Sequence, residues 1–305
     1  MKVLITGANG FLGQQLTKAL VEQGHVVLAT GIGPQRVLQE QSVHFKYIPI
    51  DLGTDEPLEK FMEMLRPEVV IHAAAMTQVD ACELDREKSY RINVDATRRI
   101  VAASESLNSF LIFISSDFVF DGHKGNYLED DPLSAVNWYG HTKIQAERLV
   151  QACISPWAIV RTCLVYGNCL DGSRNNIITW TRQKLMLGEK IQVVDDQIRT
   201  PTHVEDLARG ILLLMEKPGH GVFHIAGKDT MSPYDMARHA ADQFGLDAQL
   251  IERVNGSSFI QPAVRPLITG LSIDKSRKLL GYEPMSFLQG LVLMKTGARP
   301  LESSD

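Results

Sequence analysis

The chain of 305 residues is 44% hydrophobic and 22% charged, the balance of a globular protein long enough for one large domain or two modest ones. Its net charge of −5, with no lysine- or arginine-rich block, argues against the basic stripe that a nucleic-acid backbone attracts. The longest apolar runs, such as Ile211 to Met215, fall far short of the roughly 20 residues that cross a bilayer. The cysteines Cys82, Cys153, Cys163 and Cys169 lack Cys-x-x-Cys spacing, so neither a disulfide framework nor a metal site is expected. Thr6 and Gly7 interrupt the opening apolar stretch without a signal-peptide cleavage pattern, and a cytoplasmic protein is expected.

Short runs rich in β-branched and aromatic residues predict strands at Lys2–Thr6, Val26–Thr30, Phe45–Ile50, Val69–Ala73, Phe110–Ser115 and Trp157–Thr162. Longer segments of helical spacing separate them; in the first, Leu12, Leu16 and Leu20 form one stripe. This alternation predicts an α/β fold, a Rossmann-like doubly wound parallel sheet with helices on both faces. Residues 1–165 form the expected dinucleotide-binding domain. After Tyr166 the rhythm loosens, which predicts a smaller, interleaved substrate-binding region over 166–290. Within it, Gly221 to Ala226 reads as a buried strand, so 200–226 is expected to return to the first sheet. Residues 291–305, polar and without periodicity from Gly297 onward, are expected to be a C-terminal tail.

Gly7, Gly10 and Gly13 sit where the first strand turns into the first helix. Gly7 permits the tight turn, Gly10 lets backbone amides approach a pyrophosphate, and Gly13 allows close helix packing. The intervening Asn9, Phe11 and Leu12 belong to the same expected cofactor cradle, as do Thr30 and Gly31 at the end of the second strand. No carboxylate closes that strand to grip a ribose hydroxyl, whereas Arg36 follows on the next loop, placed to pair with a 2′-phosphate. NADP(H) is therefore the expected cofactor, with NAD(H) the alternative; a solvated surface role for Arg36 stays open. Asp51 and Leu52 follow the third strand and are placed to meet the adenine edge, unless Asp51 is an N-cap.

Tyr139 and Lys143 stand four apart and share one helix face. A cation about 4 Å from a phenol contributes roughly 4 kcal/mol at an effective dielectric of 20, or about three pKa units before burial opposes it. A lowered phenol pKa is the expectation. Ser116 closes the fifth strand at the carboxyl edge, placed to hold a carbonyl oxygen beside Tyr139. His72 is read as a hydrogen-bonded core histidine rather than a base, and Asn93 as either a brace for the active-site backbone or an ordinary buried helix residue. Glu129-Asp130-Asp131 reads as a solvated loop.

The motifs Ala73-Ala74-Ala75 with Thr77 and Val79-Asp80, Ser116-Asp117-Phe118-Val119-Phe120-Asp121-Gly122 and Tyr139-Gly140-x-x-Lys143 are followed by Arg161-Thr162, Asp196-Gln197, Pro201-Thr202 and Arg265-Pro266. Together they resemble the extended short-chain dehydrogenase/reductases, and within them the dTDP-4-dehydrorhamnose reductases, to about Leu291. The resemblance implies a catalytic set of Ser116, Tyr139 and Lys143, with Ala73, Ala74 and Ala75 along the cofactor. Thr77, Val79, Phe118 and Asn176 are implied to face a nucleotide sugar. NADPH would give hydride to a 4-keto carbon while Tyr139 gives a proton to its oxygen. Arg265 suits a diphosphate clamp or, alternatively, a structural ion pair. A homodimer is a further implication. The pattern departs from the family at Ser116, where Thr is common, at Phe118, where Tyr is common, and at Leu164, where Trp is common. An NAD-retaining epimerase or dehydratase, and a cofactor-binding subunit resembling the regulatory partner of methionine adenosyltransferase, are the competing readings.

Overall fold

The computed structural model describes residues 1–54, 58–169, 175–217 and 219–298. In chain order its strands are β1 (Lys2–Thr6), β2 (Val26–Gly31), β3 (Phe45–Pro49), β4 (Val69–His72), β5 (Phe110–Ser116), β6 (Trp157–Thr162), β7 (Val165–Tyr166), β8 (Ile191–Val194), β9 (Thr202–His203), β10 (Gly221–His224) and β11 (Ile251–Val254). The helices are α1 (Phe11–Glu22), α2 (Leu58–Leu65), α3 (Val79–Leu84), α4 (Arg86–Tyr90), α5 (Ala96–Leu107), α6 (Trp138–Gln151), α7 (Ile177–Met186), α8 (Val204–Glu216), α9 (Pro233–Phe244), α10 (Asp274–Leu280) and α11 (Phe287–Thr296). A π-helical turn, Arg91–Asp95, joins α4 to α5.

Seven strands make one parallel sheet in the order β10-β6-β5-β4-β1-β2-β3. The order reverses at β1, which pairs with β2 on one side and β4 on the other. At such a switch point the connections leave in opposite directions and a crevice opens beyond the strands' carboxyl ends. Alternate strand residues serve opposite faces. Val3 and Ile5 pack with Leu16, Leu20, Leu207 and Ile211 of α1 and α8, while Leu4 packs with Leu58, Met62, Ile100, Ala146 and Val150 of α2, α5 and α6. Being covered on both sides is why these strands read as continuous apolar runs.

The strand Gly221–His224 pairs with β6, residue for residue from Ala158 to Arg161, and closes one edge of the sheet. Beyond the sheet, β8 and β11 pair in parallel and share a small core with α7 and α9, built on Leu185, Ile191, Val193, Ala237, Ala241 and Ile251. The tail expectation is corrected over 291–296, which is the second half of α11. Ser286 and Gln289 form a capping box at its start, and Phe287, Leu291 and Met294 recur at helical spacing against Ile178, Met236 and Ala240. The remainder of the expected tail, 299–305, lies outside the described residues. Among the described residues no helix is long and apolar enough to cross a membrane.

Candidate functional site

The turn from β1 to α1 is shaped by what its glycines lack. Gly7 has φ 74°, and a Cβ there would lie 2.7 Å from the Ala74 nitrogen. A Cβ on Gly13 would stand 2.3 Å from the Gly7 carbonyl oxygen and 2.6 Å from the Ala8 Cα. The turn therefore closes onto the Ala73–Ala75 segment, which is itself held by N–H donation from Ala73 to the Thr6 carbonyl (3.2 Å) and from Ala74 to Thr6 Oγ1 (3.3 Å). Gly10 caps α1 with no side-chain bond to the first-turn amides, an arrangement suited to a phosphate. Phe11 extends its ring toward Gly167, and Leu12 packs on the core. Gly13→Val is expected to abolish dinucleotide binding, measured by NADPH fluorescence titration, and to lower Tm, because backbone cannot move aside as a side chain can.

A hub that sequence reading missed organises the next loop. Tyr47 on β3 donates its hydroxyl toward the Gly31 and Gly33 carbonyls (2.9 and 2.8 Å), and Asn9 Nδ2 donates to Tyr47 Oη (2.7 Å), Ile32 O (3.0 Å) and Pro34 O (2.9 Å). Asn9 Oδ1 accepts from the Arg36 amide (2.9 Å), so the exposed Arg36 is carried at the mouth of the glycine turn. Thr30 and Gly31 are buried at the end of β2, and Leu52 lies in the core beside Ile50 and Leu58. Asp51 Oδ1 accepts from the Gly53 amide (2.8 Å), an Asx turn ahead of α2 and not its N-cap.

Ser116, Tyr139 and Lys143 are brought together at the carboxyl end of β5. Tyr139 is 8% exposed and lies within hydrogen-bond reach of Ser116, and its ring meets Phe118 edge-on with centroids 5.9 Å apart. Gly140 lets α6 approach this turn: a Cβ there would be 2.1 Å from the Phe118 carbonyl oxygen. Lys143 donates to the Ile114 carbonyl (2.7 Å) with its ammonium 4.1 Å from the Phe113 ring centroid. Burial pulls its pKa down to about 7, against the opposing pull of the Glu147 carboxylate. The expected lowering of the phenol is corrected. Burial, with the Asp117 charge adding to it, pushes Tyr139 well above its ordinary range, and the Ser116 hydroxyl offsets only part of this.

Asn93, in the π-helical turn, braces this cluster. Its amide accepts from the Met76 N–H (2.8 Å) and donates to the Met76 carbonyl (3.1 Å) and Thr142 Oγ1 (3.0 Å), linking the loop after β4 to α6. His72 is a satisfied core residue: Nδ1 lies 2.7 Å from Thr6 Oγ1 and Nε2 3.0 Å from Thr97 Oγ1. Burial lowers His72 to about 3, and His224 likewise to about 3. The native state thus stays neutral at both sites while an unfolded chain takes up protons below about 6.5, so stability falls as pH drops from 6.5 toward 3. Urea midpoints measured between pH 6.5 and 5, above the carboxylate range, should decline, each histidine contributing up to about 1.4 kcal/mol per pH unit. A flat profile there would contradict the neutral assignment.

The implied substrate residues fall into two groups. Thr77 lies just ahead of α3 and is exposed, and Val79 begins α3 and is half-buried; α3 and the turn that carries Phe118 both pack on α6. Arg265 does not present an open guanidinium. It pairs in bidentate fashion with Asp80 (2.5 and 2.6 Å) and donates to the Ala263 carbonyl (2.6 Å), an ion pair that ties a late segment to α3. Asn176 is the N-cap of α7, accepting from Ile178 and Thr179 and donating to the Gly167 carbonyl (2.8 Å). Leu164 adopts φ 38°, a left-handed conformation that a branched side chain rarely takes and that often marks a site. Glu129 corrects the solvated-loop reading: its carboxylate accepts from the His224 amide (3.0 Å), its carbonyl accepts from Arg161 (3.0 Å), and burial raises its pKa.

Known proteins are similar to this chain in sequence and fold. The profile of the RmlD substrate binding domain matches residues 1–298. The chain is 28% identical over 303 residues to a dTDP-4-dehydrorhamnose reductase of Aggregatibacter actinomycetemcomitans, covering 95% of this chain and 97% of the relative. It is 31% identical to methionine adenosyltransferase 2 subunit beta of Rattus norvegicus, over 91% of this chain and 82% of the relative. Among solved structures, dTDP-4-dehydrorhamnose reductase from Bacillus anthracis str. Ames in complex with NADP superposes with a TM-score of 0.83 at 27% identity, covering 97% of this chain and 99% of that one. With the glycine turn, the seven-stranded sheet and a profile match over nearly its whole length, the chain belongs to the RmlD family of extended short-chain dehydrogenase/reductases, NAD(P)-dependent oxidoreductases.

Proposed function

We propose that the protein reduces the 4-keto group of a nucleotide-linked sugar with NADPH. The observation that carries this reading is the buried Ser116, Tyr139 and Lys143 cluster at the carboxyl end of β5, on the same edge of the parallel sheet as a turn where a Cβ at Gly7 or Gly13 would strike backbone. The turn residues Gly7, Gly10 and Gly13, the α1 N-terminus, Ala73–Ala75 and Arg36 would hold the dinucleotide, which supplies a hydride when bound. Tyr139 supplies the proton to the carbonyl oxygen. Burial keeps the phenol protonated until negative charge develops on that oxygen, and proton transfer relieves that charge. Lys143, one helical turn on and held by the Ile114 carbonyl, would supply positive potential when charged. The dTDP-4-dehydrorhamnose reductase relatives support a nucleoside-diphosphate sugar as substrate and NADPH over NADH. A cytoplasmic homodimer, with residues 1–165 and 200–226 for the cofactor and the interleaved remainder of 166–290 for the sugar, completes the proposal.

The test is a panel of 4-keto nucleotide sugars, dTDP-4-dehydrorhamnose first, followed by loss of NADPH absorbance with NADH run beside it. Turnover with NADPH is expected, and Arg36→Ala should raise KM for NADPH about tenfold while leaving NADH unchanged, the scale of one charge-assisted contact. The methionine adenosyltransferase subunit among the relatives motivates a second reading, a cofactor-binding partner of another enzyme. No turnover on the whole panel, together with a stoichiometric partner on affinity capture, would favour it. Stoichiometric NAD released on denaturation would favour an epimerase or dehydratase.

A further inference from the structure

We propose that Asp117 is a positioning residue for this reaction: it sets the direction of the Ser116 hydroxyl and joins it to the strap 263–269, the segment that carries Arg265. The inference rests on the reductase reading and deepens it. Asp117 is 3% exposed, directly after β5, and its carboxylate is met by its neighbour Ser116, by two remote donors and by a remote guanidinium. Oδ1 accepts the Ser116 hydroxyl (3.0 Å). Oδ2 accepts from the Thr269 hydroxyl and from the Cys163 thiol (3.1 Å), with Arg199 Nε 3.9 Å away.

A buried carboxylate is unfavourable unless donors and a counter-charge surround it, and an apolar residue would fill the same space more cheaply. What the carboxylate adds is direction. A serine has one hydrogen, and with that hydrogen on Asp117 the Ser116 oxygen presents lone pairs, one taken by the Phe118 amide (3.2 Å). Ser116 also stands within hydrogen-bond reach of the Tyr139 hydroxyl; held by Asp117, its oxygen can accept the phenol's hydrogen at rest, and its own hydrogen turns to the phenolate only once that proton has left. Without Asp117 the serine hydrogen is free to turn onto the phenol oxygen, and the alignment is lost.

The strap reaches the same pair from its other end. Asn137, the N-cap of α6, donates to the Val264 carbonyl (2.8 Å) and accepts from the Gly140 amide (2.9 Å), directly beside Tyr139. Arg199 donates to the Pro266 and Leu267 carbonyls (2.7 and 2.8 Å), and the Ile198 carbonyl accepts from the Thr269 amide (3.0 Å). Thr269 acts on Ser116 through Asp117, and Val264 on Tyr139 through Asn137. The strap thereby holds both hydroxyls in register.

The test is a double-mutant cycle on the full chain with saturating NADPH and dTDP-4-dehydrorhamnose as the probe. Asp117→Asn should lower kcat about tenfold in the parental background, the scale of one misdirected hydrogen bond, and less than about twofold once Ser116→Ala is present. The Kd for NADPH should not move. Equal losses in both backgrounds would overturn the proposal, because a merely structural residue adds its damage independently of Ser116. Should Asp117→Asn fail to fold, Thr269→Val decides the matter. It keeps the carboxylate, and it should lower kcat only when Ser116 is present, with Thr269→Ser restoring the parental rate; a loss that persists without Ser116 counts against the inference. A parental chain inactive on the whole panel of 4-keto nucleotide sugars, or a fully active Tyr139→Phe, sinks the reductase reading itself and the inference with it.

Discussion

Tyr139→Phe is expected to lower kcat by about a thousandfold on a 4-keto nucleotide sugar, within the range general acid catalysis contributes, while the Kd for NADPH stays put. The ring is what packs: it meets Phe118 edge-on and fills a site that is almost closed to solvent. Phenylalanine keeps that packing and removes only the oxygen, so stability should hold and the loss be confined to proton delivery. Among the described residues, the other hydroxyl and thiol at this site are committed elsewhere. Ser116 has its hydrogen on Asp117, and the Cys82 thiol, raised to about 11 by burial and the nearby Glu83, is a weak donor that is already directed at the Met76 carbonyl. A phenylalanine variant that oxidised NADPH at the parental rate with the keto sugar present would end the proposed mechanism. Loss of NADPH binding instead would show that the tyrosine serves the cofactor rather than the proton.

The second large effect is on folding. Arg161→Met should destabilise the protein by about 3 kcal/mol or more, the usual consequence of removing one partner of a buried ion pair. Arg161 and Glu147 are 2% and 0% exposed and pair through two bonds of 3.0 and 2.8 Å, and Glu147 also accepts from Ser115 (2.5 Å). The methionine leaves the carboxylate with the Ser115 hydroxyl and the charge of Lys143, but no bidentate partner, in the layer between α6 and the sheet. A fall in Tm of the order of 10 °C is expected by differential scanning calorimetry. Glu147→Leu combined with Arg161→Met should recover much of that stability, because the penalty is the unpaired charge and not the missing attraction. Should the double variant be as unstable as the single one, the pair matters through its hydrogen bonds to Ser115 and the Glu129 carbonyl.

Each kind of feature was legible to the extent that its cause is local. Gly7, Gly10 and Gly13 could be read because a positive φ and a missing Cβ are demands made within one turn. Tyr139 and Lys143 could be read because four residues make one helical face, and the six leading strands because apolar runs and their turns lie side by side in the chain. Ser286 and Gln289 are also a local signal, a helix start that reading polarity alone misses. Asp117, Arg199 and Thr269 carry no such mark. They meet across 152 residues of sequence, and in a string of letters a buried carboxylate looks like any surface one. Glu129 and Arg265 were open to misreading for the same cause, since their partners His224, Arg161 and Asp80 are distant.

The sequence by itself determined the alternation of strand and helix, the turn that only glycine can make, and the placing of a phenol and an amine on one helix face. The tertiary structure decided the electrostatic sign. Spacing puts Lys143 and Tyr139 on one helix face, but their proton affinities depend on how much water the surrounding chain removes, and burial is the largest cause of both shifts, raising the phenol and lowering the amine.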